Sequence, residues 1–247
     1  MVERNNMRVN RFGPLVILAI LFLSVSSLFA QEKSSDIVKK NVKKDDQLSR
    51  AVELIQSGKL DEAEALLKDL ISKMPAGWSA VKDLPEAKEV AFWSHEEFLG
   101  CSFKLGESAK KKIVWAWPSY SYAYHLLAYI EVERNNPDKA LQYLDQALLL
   151  EPDRPDILCE KAYTLGKMKK FQEAYDLYEK AKDIRSWASD KQRAKALRGM
   201  GSVLIDLGRL DEAEARFKES LKLEPENKIA QNELDYIIKV RKDNPNH

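Results

Sequence analysis

Two stretches decide the reading of this chain: SGKLDEAEALLKDLISKMP over residues 57–75 and LGRLDEAEARFKESLKLEP over residues 207–225, which are near copies of one another. A third, NNPDKALQYLDQALLLEP (135–152), and a shorter fourth, KKFQEAYDLYEKA (169–181), follow the same pattern. Each carries Ala at one shared site: Ala63, Ala140, Ala174 and Ala213. The step from Ala140 to Ala174 is 34 residues, and the steps on either side are multiples of that period with short insertions. Self-similarity at this period marks a stacked array, in which each unit buries its apolar face only against its neighbours. Within a unit the Leu, Phe and Tyr positions recur at spacings of three and four, the period of an amphipathic helix. Ala or Gly at the close-approach sites lets neighbouring helices pack near the short end of the usual range of about 8–10 Å.

Composition agrees. The 247 residues are 45% apolar, enough to bury a core, and contain only 9 Gly and 9 Pro, too few turn residues for a many-stranded sandwich or barrel. Forty basic residues against 39 acidic leave a formal charge of +1, so there is no electrostatic footprint for nucleic acid.

The pattern resembles the tetratricopeptide repeat, an antiparallel helix pair with a small residue near position 8, Ala at 20, a large apolar residue near 24 and Pro at 32. The unit 194–227 fits best, with Leu197, Gly201, Leu204, Ala213, Phe217 and Pro225 in place. Units 44–77, 121–154 and 155–188 match with Ala51, Gly58, Ala63 and Pro75, with Leu127, Ala128, Ala140 and Pro152, and with Ala162, Ala174, Tyr178 and Ala181. In the last of these Ser186 stands where Pro belongs. The stretch 87–120 reads as a degenerate copy, with Trp93, Ser94 and Pro118 in register and Gly106 replacing the Ala. The resemblance implies an all-α fold over 47–247, a right-handed α-solenoid of stacked antiparallel helix pairs. Ile229, Leu234, Ile237 and Ile238 then mark a C-terminal capping helix over 228–242.

Residues 1–30 read as a targeting segment. Arg4, Arg8 and Arg11 precede the apolar run Leu15–Ala30, which ends in small residues, as in a secretory signal. The run is short for a bilayer span of about 20 residues. The expectation is an exported, periplasmic protein; the alternative is an uncleaved segment anchoring it to the inner membrane, the one case that brings membrane contact. Residues 31–46, rich in Lys, Asp and Ser, read as a flexible leader. Cys101 and Cys159 permit one disulfide in an oxidising compartment but equally fit two buried thiols.

In proteins of the resembled family the first helix of each pair lines a concave groove through positions 2, 5, 9, 12 and 13. Carried onto this chain, those positions give His95 and Phe98, then Tyr122, His125 and Tyr129. Later units add Cys159, Tyr163 and Lys167, then Lys195 and Arg198. The implied partner is another protein or a peptide segment, with Tyr129 and Tyr163 as anchors, and the implied role is an interaction scaffold. Four of the five Trp (Trp78, Trp93, Trp115, Trp117) crowd into 78–117 beside Phe92 and Phe98. Two readings stand for them: filling space in an irregular unit, or forming a recognition surface that, as the alternative function, encloses a small ligand.

Nothing points to catalysis, a cofactor or a metal. His95-Glu96-Glu97-Phe98-Leu99 begins like a zinc-protease helix, but Leu99 stands where the second His is needed. Phosphate-binding loops and a hydrolase elbow have no matching motif. The pairs Asp61-Glu62 and Asp211-Glu212 open second helices and read as compensation of the helix N-terminus. The run Lys110-Lys111-Lys112 reads as a solvated face. The expectation is a protein that is not an enzyme.

Overall fold

The computed structural model describes residues 46–109, 111–116, 119–184 and 188–243. The expected targeting segment 1–30, nearly all of the expected leader 31–46, and Trp117, Pro118 and Ser186 lie outside them. The chain divides into two compact units, up to Arg134 and from Asn135 onward. As expected, the fold is all-α in class, with a minor three-stranded sheet.

The first unit begins with the helix pair α1 (Asp46–Gln56) and α2 (Leu60–Ser72). Gly58 at φ +76° makes the tight turn between them, and Lys59 N–H closes it on Leu54 O at 2.9 Å. Ala51, Val52 and Ile55 of α1 and Ala63, Leu67 and Leu70 of α2 are buried. The strands β1 (Val81–Asp83) and β2 (Ala87–Val90) follow, then α3 (His95–Ala109) and β3 (Lys112–Trp115). Strand β2 pairs antiparallel with β1 and parallel with β3, with Val81 opposite Val90 and Glu89 opposite Val114. The unit closes with α4 (Tyr120–Glu133), capped by the Ser119 side chain, which accepts from Tyr122 N–H.

The degenerate helix pair expected over 87–120 is therefore corrected to a strand–helix–strand excursion. Ile113, Val114 and Trp115 are β-branched or aromatic and favour a strand. Pro85 lies in the turn between β1 and β2. Helix α4 packs on α2 and α1 directly. At its end Arg134 donates to Asp61 and Glu64 on α2 and to Glu131 on α4.

The second unit contains α5 (Pro137–Leu150), α6 (Pro155–Lys167), α7 (Phe171–Asp183), α8 (Asp190–Asp206), α9 (Leu210–Leu223) and α10 (Lys228–Asp243). Each packs on its successor, and the first helices α6 and α8 also touch. The close approach expected of small residues is explicit on α8. A methyl built on Gly201 would stand 2.8 Å from the Phe217 ring of α9, and one on Gly199 would stand 2.3 Å from the Tyr178 ring of α7. A capping box starts α8: Ser189 Oγ accepts from Gln192 N–H, while Gln192 Oε1 accepts from Ser189 N–H.

Helix α10 takes the place of a further first helix. Its Arg241 donates to Asp211 and Glu214 of α9, as Arg134 does to Asp61 and Glu64. One period after Gly201 and Leu204 stand Asp235 and Ile238. Leu204 is 0% exposed and Ile238 is 50% exposed, because among the described residues no second helix covers that face of α10.

Candidate functional site

The expected groove residues separate by unit, and each set has its own chemistry. In the first unit the half-buried rings fall into two aromatic clusters, His95 and Phe98 in one within the excursion, Tyr122 and His125 in another on α4. Phe98 stacks on Trp115 at 5.6 Å between centroids, and His95 lies 6.1 Å from Phe98 and 6.4 Å from Trp115. Beneath them Phe92 is fully buried, 5.4 Å from Phe98 and 5.8 Å from Trp115. Its carbonyl accepts from Trp115 Nε1 at 3.1 Å.

Trp93, the next residue along, was not among the expected groove positions, yet it meets two of them. Its ring lies 4.6 Å from Tyr122 and 4.9 Å from His125 on α4. The backbone at Trp93 is fixed by the start of α3. Trp93 N–H donates to Glu97 Oε2 at 3.0 Å, and Glu97 N–H donates to Ser94 Oγ at 3.1 Å. In the run His95-Glu96-Glu97, Glu97 thus serves helix capping together with Ser94. Tyr129, one of the two expected anchors, is 2% exposed and presents no surface to a partner.

In the second unit, α6 and α8 bring Tyr163, Lys167 and Lys195 to a half-buried or exposed face. The ammonium of Lys167 lies 5.7 Å from the Tyr163 ring centroid, a cation–π distance. Burial alone would lower the Lys195 ammonium, but the carboxylates of Glu160 and Asp156 override it and hold it above the ordinary lysine range. Asp156 in turn accepts from Gln192 Nε2 at 2.6 Å. Two further expected groove residues are corrected to packing positions. Cys159 is 1% exposed among Leu158, Ala162, Tyr178 and Met200, and burial pushes its thiol up to about 12. Arg198 is 7% exposed and donates to Glu224.

Cys101 and Cys159 are both buried and are not joined in a disulfide. Among the described residues no group of three or more His, Cys, Asp or Glu is placed to hold a metal ion. Nor is any described helix long and apolar enough to cross a membrane.

Comparison with known proteins agrees with this geometry. Tetratricopeptide-repeat family models match residues 123–164 and 153–225. Residues 123–225 carry tetratricopeptide repeats. Among solved structures, that of Pseudomonas aeruginosa pilF shares the fold, with a TM-score of 0.55 at 16% identity, covering 81% of this chain and 69% of that one. Among curated proteins, protein O-mannosyl-transferase TMTC1 of Mus musculus is 29% identical over 143 residues, 56% of this chain. Its Homo sapiens counterpart is 28% identical over 123 residues, 48% of this chain. The match spans only 15% and 13% of those two proteins.

Proposed function

We propose that the protein is a non-catalytic scaffold that holds a segment of another polypeptide on the first-helix faces of its repeats. The observation that carries this reading is the Tyr163–Lys167 pair on α6, with Lys195 on the adjoining first helix α8. It combines a large amphipathic ring with cations, a mixture suited to recognising a polypeptide segment. The nucleophile, base and orienter that catalysis requires are not assembled on it. The transferase activity named for the TMTC1 proteins belongs to chains of which this match is a small part.

The export expected from residues 1–30 completes the proposal: the scaffold works in the cell envelope, in the periplasm or tethered to the inner membrane. A photocrosslinking amino acid at position 163, introduced in the native cell, captures the partner. Tyr163→Ala combined with Lys167→Glu then abolishes recovery of that same protein. Undiminished recovery with a folded variant removes the α6/α8 face from the reading. N-terminal sequencing of the mature protein finds Gln31 first if the segment is cleaved.

A further inference from the structure

The proposed function places a partner on first-helix faces, and on α4 that face is already covered by the chain itself. Phe92 and Trp93 are neighbours in sequence but belong to different ring clusters. Phe92 is buried with Phe98 and Trp115 inside the excursion, whereas Trp93 leaves it and lies against Tyr122 and His125. Tyr122 and His125 are the positions at which the repeat pattern puts partner contacts. Their rings are 6.2 Å apart and near parallel, at 27°, and the Trp93 indole meets both of them.

From this arrangement we infer that the Tyr122/His125 face of α4 is a socket for a flat aromatic side chain, and that Trp93 is its built-in occupant. A partner segment bearing an exposed aromatic residue, tryptophan above all, docks there by displacing Trp93. Three features of the chain support the assignment. The occupant is seated from a short link between β2 and α3, so it can leave without breaking the pairing of β2 with β1 or β3. Phe92 keeps the excursion anchored through Trp115 Nε1 when its neighbour departs. Finally, the backbone bonds at Trp93 N–H and Glu97 N–H hold the start of α3 whatever side chain stands at position 93. The displacement costs partner affinity in proportion to how fully the internal occupant is seated.

This inference rests on the proposed function, and its test needs no knowledge of the natural partner. The probe is a fluorescein-labelled synthetic peptide copying residues 89–98 of this chain, EVAFWSHEEF, with a second peptide in which the Trp is replaced by Ala. Polarisation is measured against the full-length wild type, Trp93→Ala and Trp93→Leu, each checked for an unchanged helical circular dichroism spectrum. The Trp peptide is expected to bind Trp93→Ala at least tenfold more tightly than wild type, while the Ala peptide binds neither. Should Trp93→Ala lose structure, Trp93→Leu gives the same comparison with the volume partly kept. Equal binding of the Trp peptide to wild type and variant, or no binding to any folded variant, overturns the socket. Neither result touches the crosslinking test at Tyr163, so the two readings fail separately.

Discussion

Arg134, the last residue before the second unit, donates its guanidinium to Asp61, 73 positions earlier in the chain. Arg241 makes the same bond to Asp211 across only 30 positions. In each case a Glu three residues further on, Glu64 or Glu214, accepts from the other end of the fork. The shared ion pairs show α4 lying on α2 as α10 lies on α9. The whole β1 to β3 excursion leaves and re-enters the array between two helices that pack as direct neighbours.

The first prediction concerns acid stability. Hydrogen bonds from Lys68 and then Arg134 hold the Glu64 carboxyl at about 2, below its ordinary 4.5. A depressed carboxylate stabilises the folded state fully above pH 4.5, and that contribution is lost as the pH falls toward 2. Urea unfolding between pH 7 and pH 2.5 therefore shows a steeper decline for wild type than for Glu64→Gln. At pH 7 the variant is less stable by about 1 kcal/mol. Identical pH profiles for the two proteins contradict the assignment.

A second prediction tests the close approaches on α8. Ala is the better helix former by about 1 kcal/mol, so on propensity alone replacing Gly199 or Gly201 stabilises. The rings of Tyr178 and Phe217 reverse the sign, since overpacking costs about 1–3 kcal/mol. Gly199→Ala, with the shorter contact, lowers the melting temperature more than Gly201→Ala. Adding Tyr178→Leu to Gly199→Ala makes the double variant less destabilised than the sum of the two single changes.

The turns offer a change of opposite sign. Lys169 holds φ +61° in a turn equivalent to those where Gly58 and Gly208 stand at +76°. The left-handed conformation costs a non-glycine residue about 1 kcal/mol, so Lys169→Gly raises stability by roughly that amount and Gly208→Ala lowers it. Thermal melts of both variants check the pair.

Thiol chemistry provides the last. Cys159 is buried with its thiol pushed up to about 12, and Cys101 is fully buried. Thiolate is the reactive form, so neither cysteine of the folded protein reacts with a maleimide at pH 7.5, and both react after guanidinium is added. Fast labelling of either thiol in the folded state refutes the packing described.

The helix pairs were legible because their signal is periodic. Ala63, Ala174 and Ala213 are buried, and Gly201 receives Phe217, as the spacing required. The excursion was not legible, because β1 and β2 are three and four residues long and carry Lys82, Asp83, Lys88 and Glu89, which give no alternation. Ile113, Val114 and Trp115 held the missed clue. Helix positions carried over from a repeat also do not distinguish a residue that faces the partner from one packed beneath it. Tyr129, Cys159 and Arg198 all sit at groove positions and all are buried. In sequence Asp61 and Asp211 mark their own helix ends, and nothing in their segment names the distant arginines they bind. Trp93 falls outside the groove positions because its role depends on α3 starting at His95 and not on the repeat phase.

Asp235 stands one period after Gly201, at the point where a following second helix would press its largest ring. A carboxylate there disfavours such a neighbour, and Ile238 on the same helix is half exposed. One side chain thus guards this face: its charge disfavours the packing of a ring against the surface that Ile238 leaves half bare.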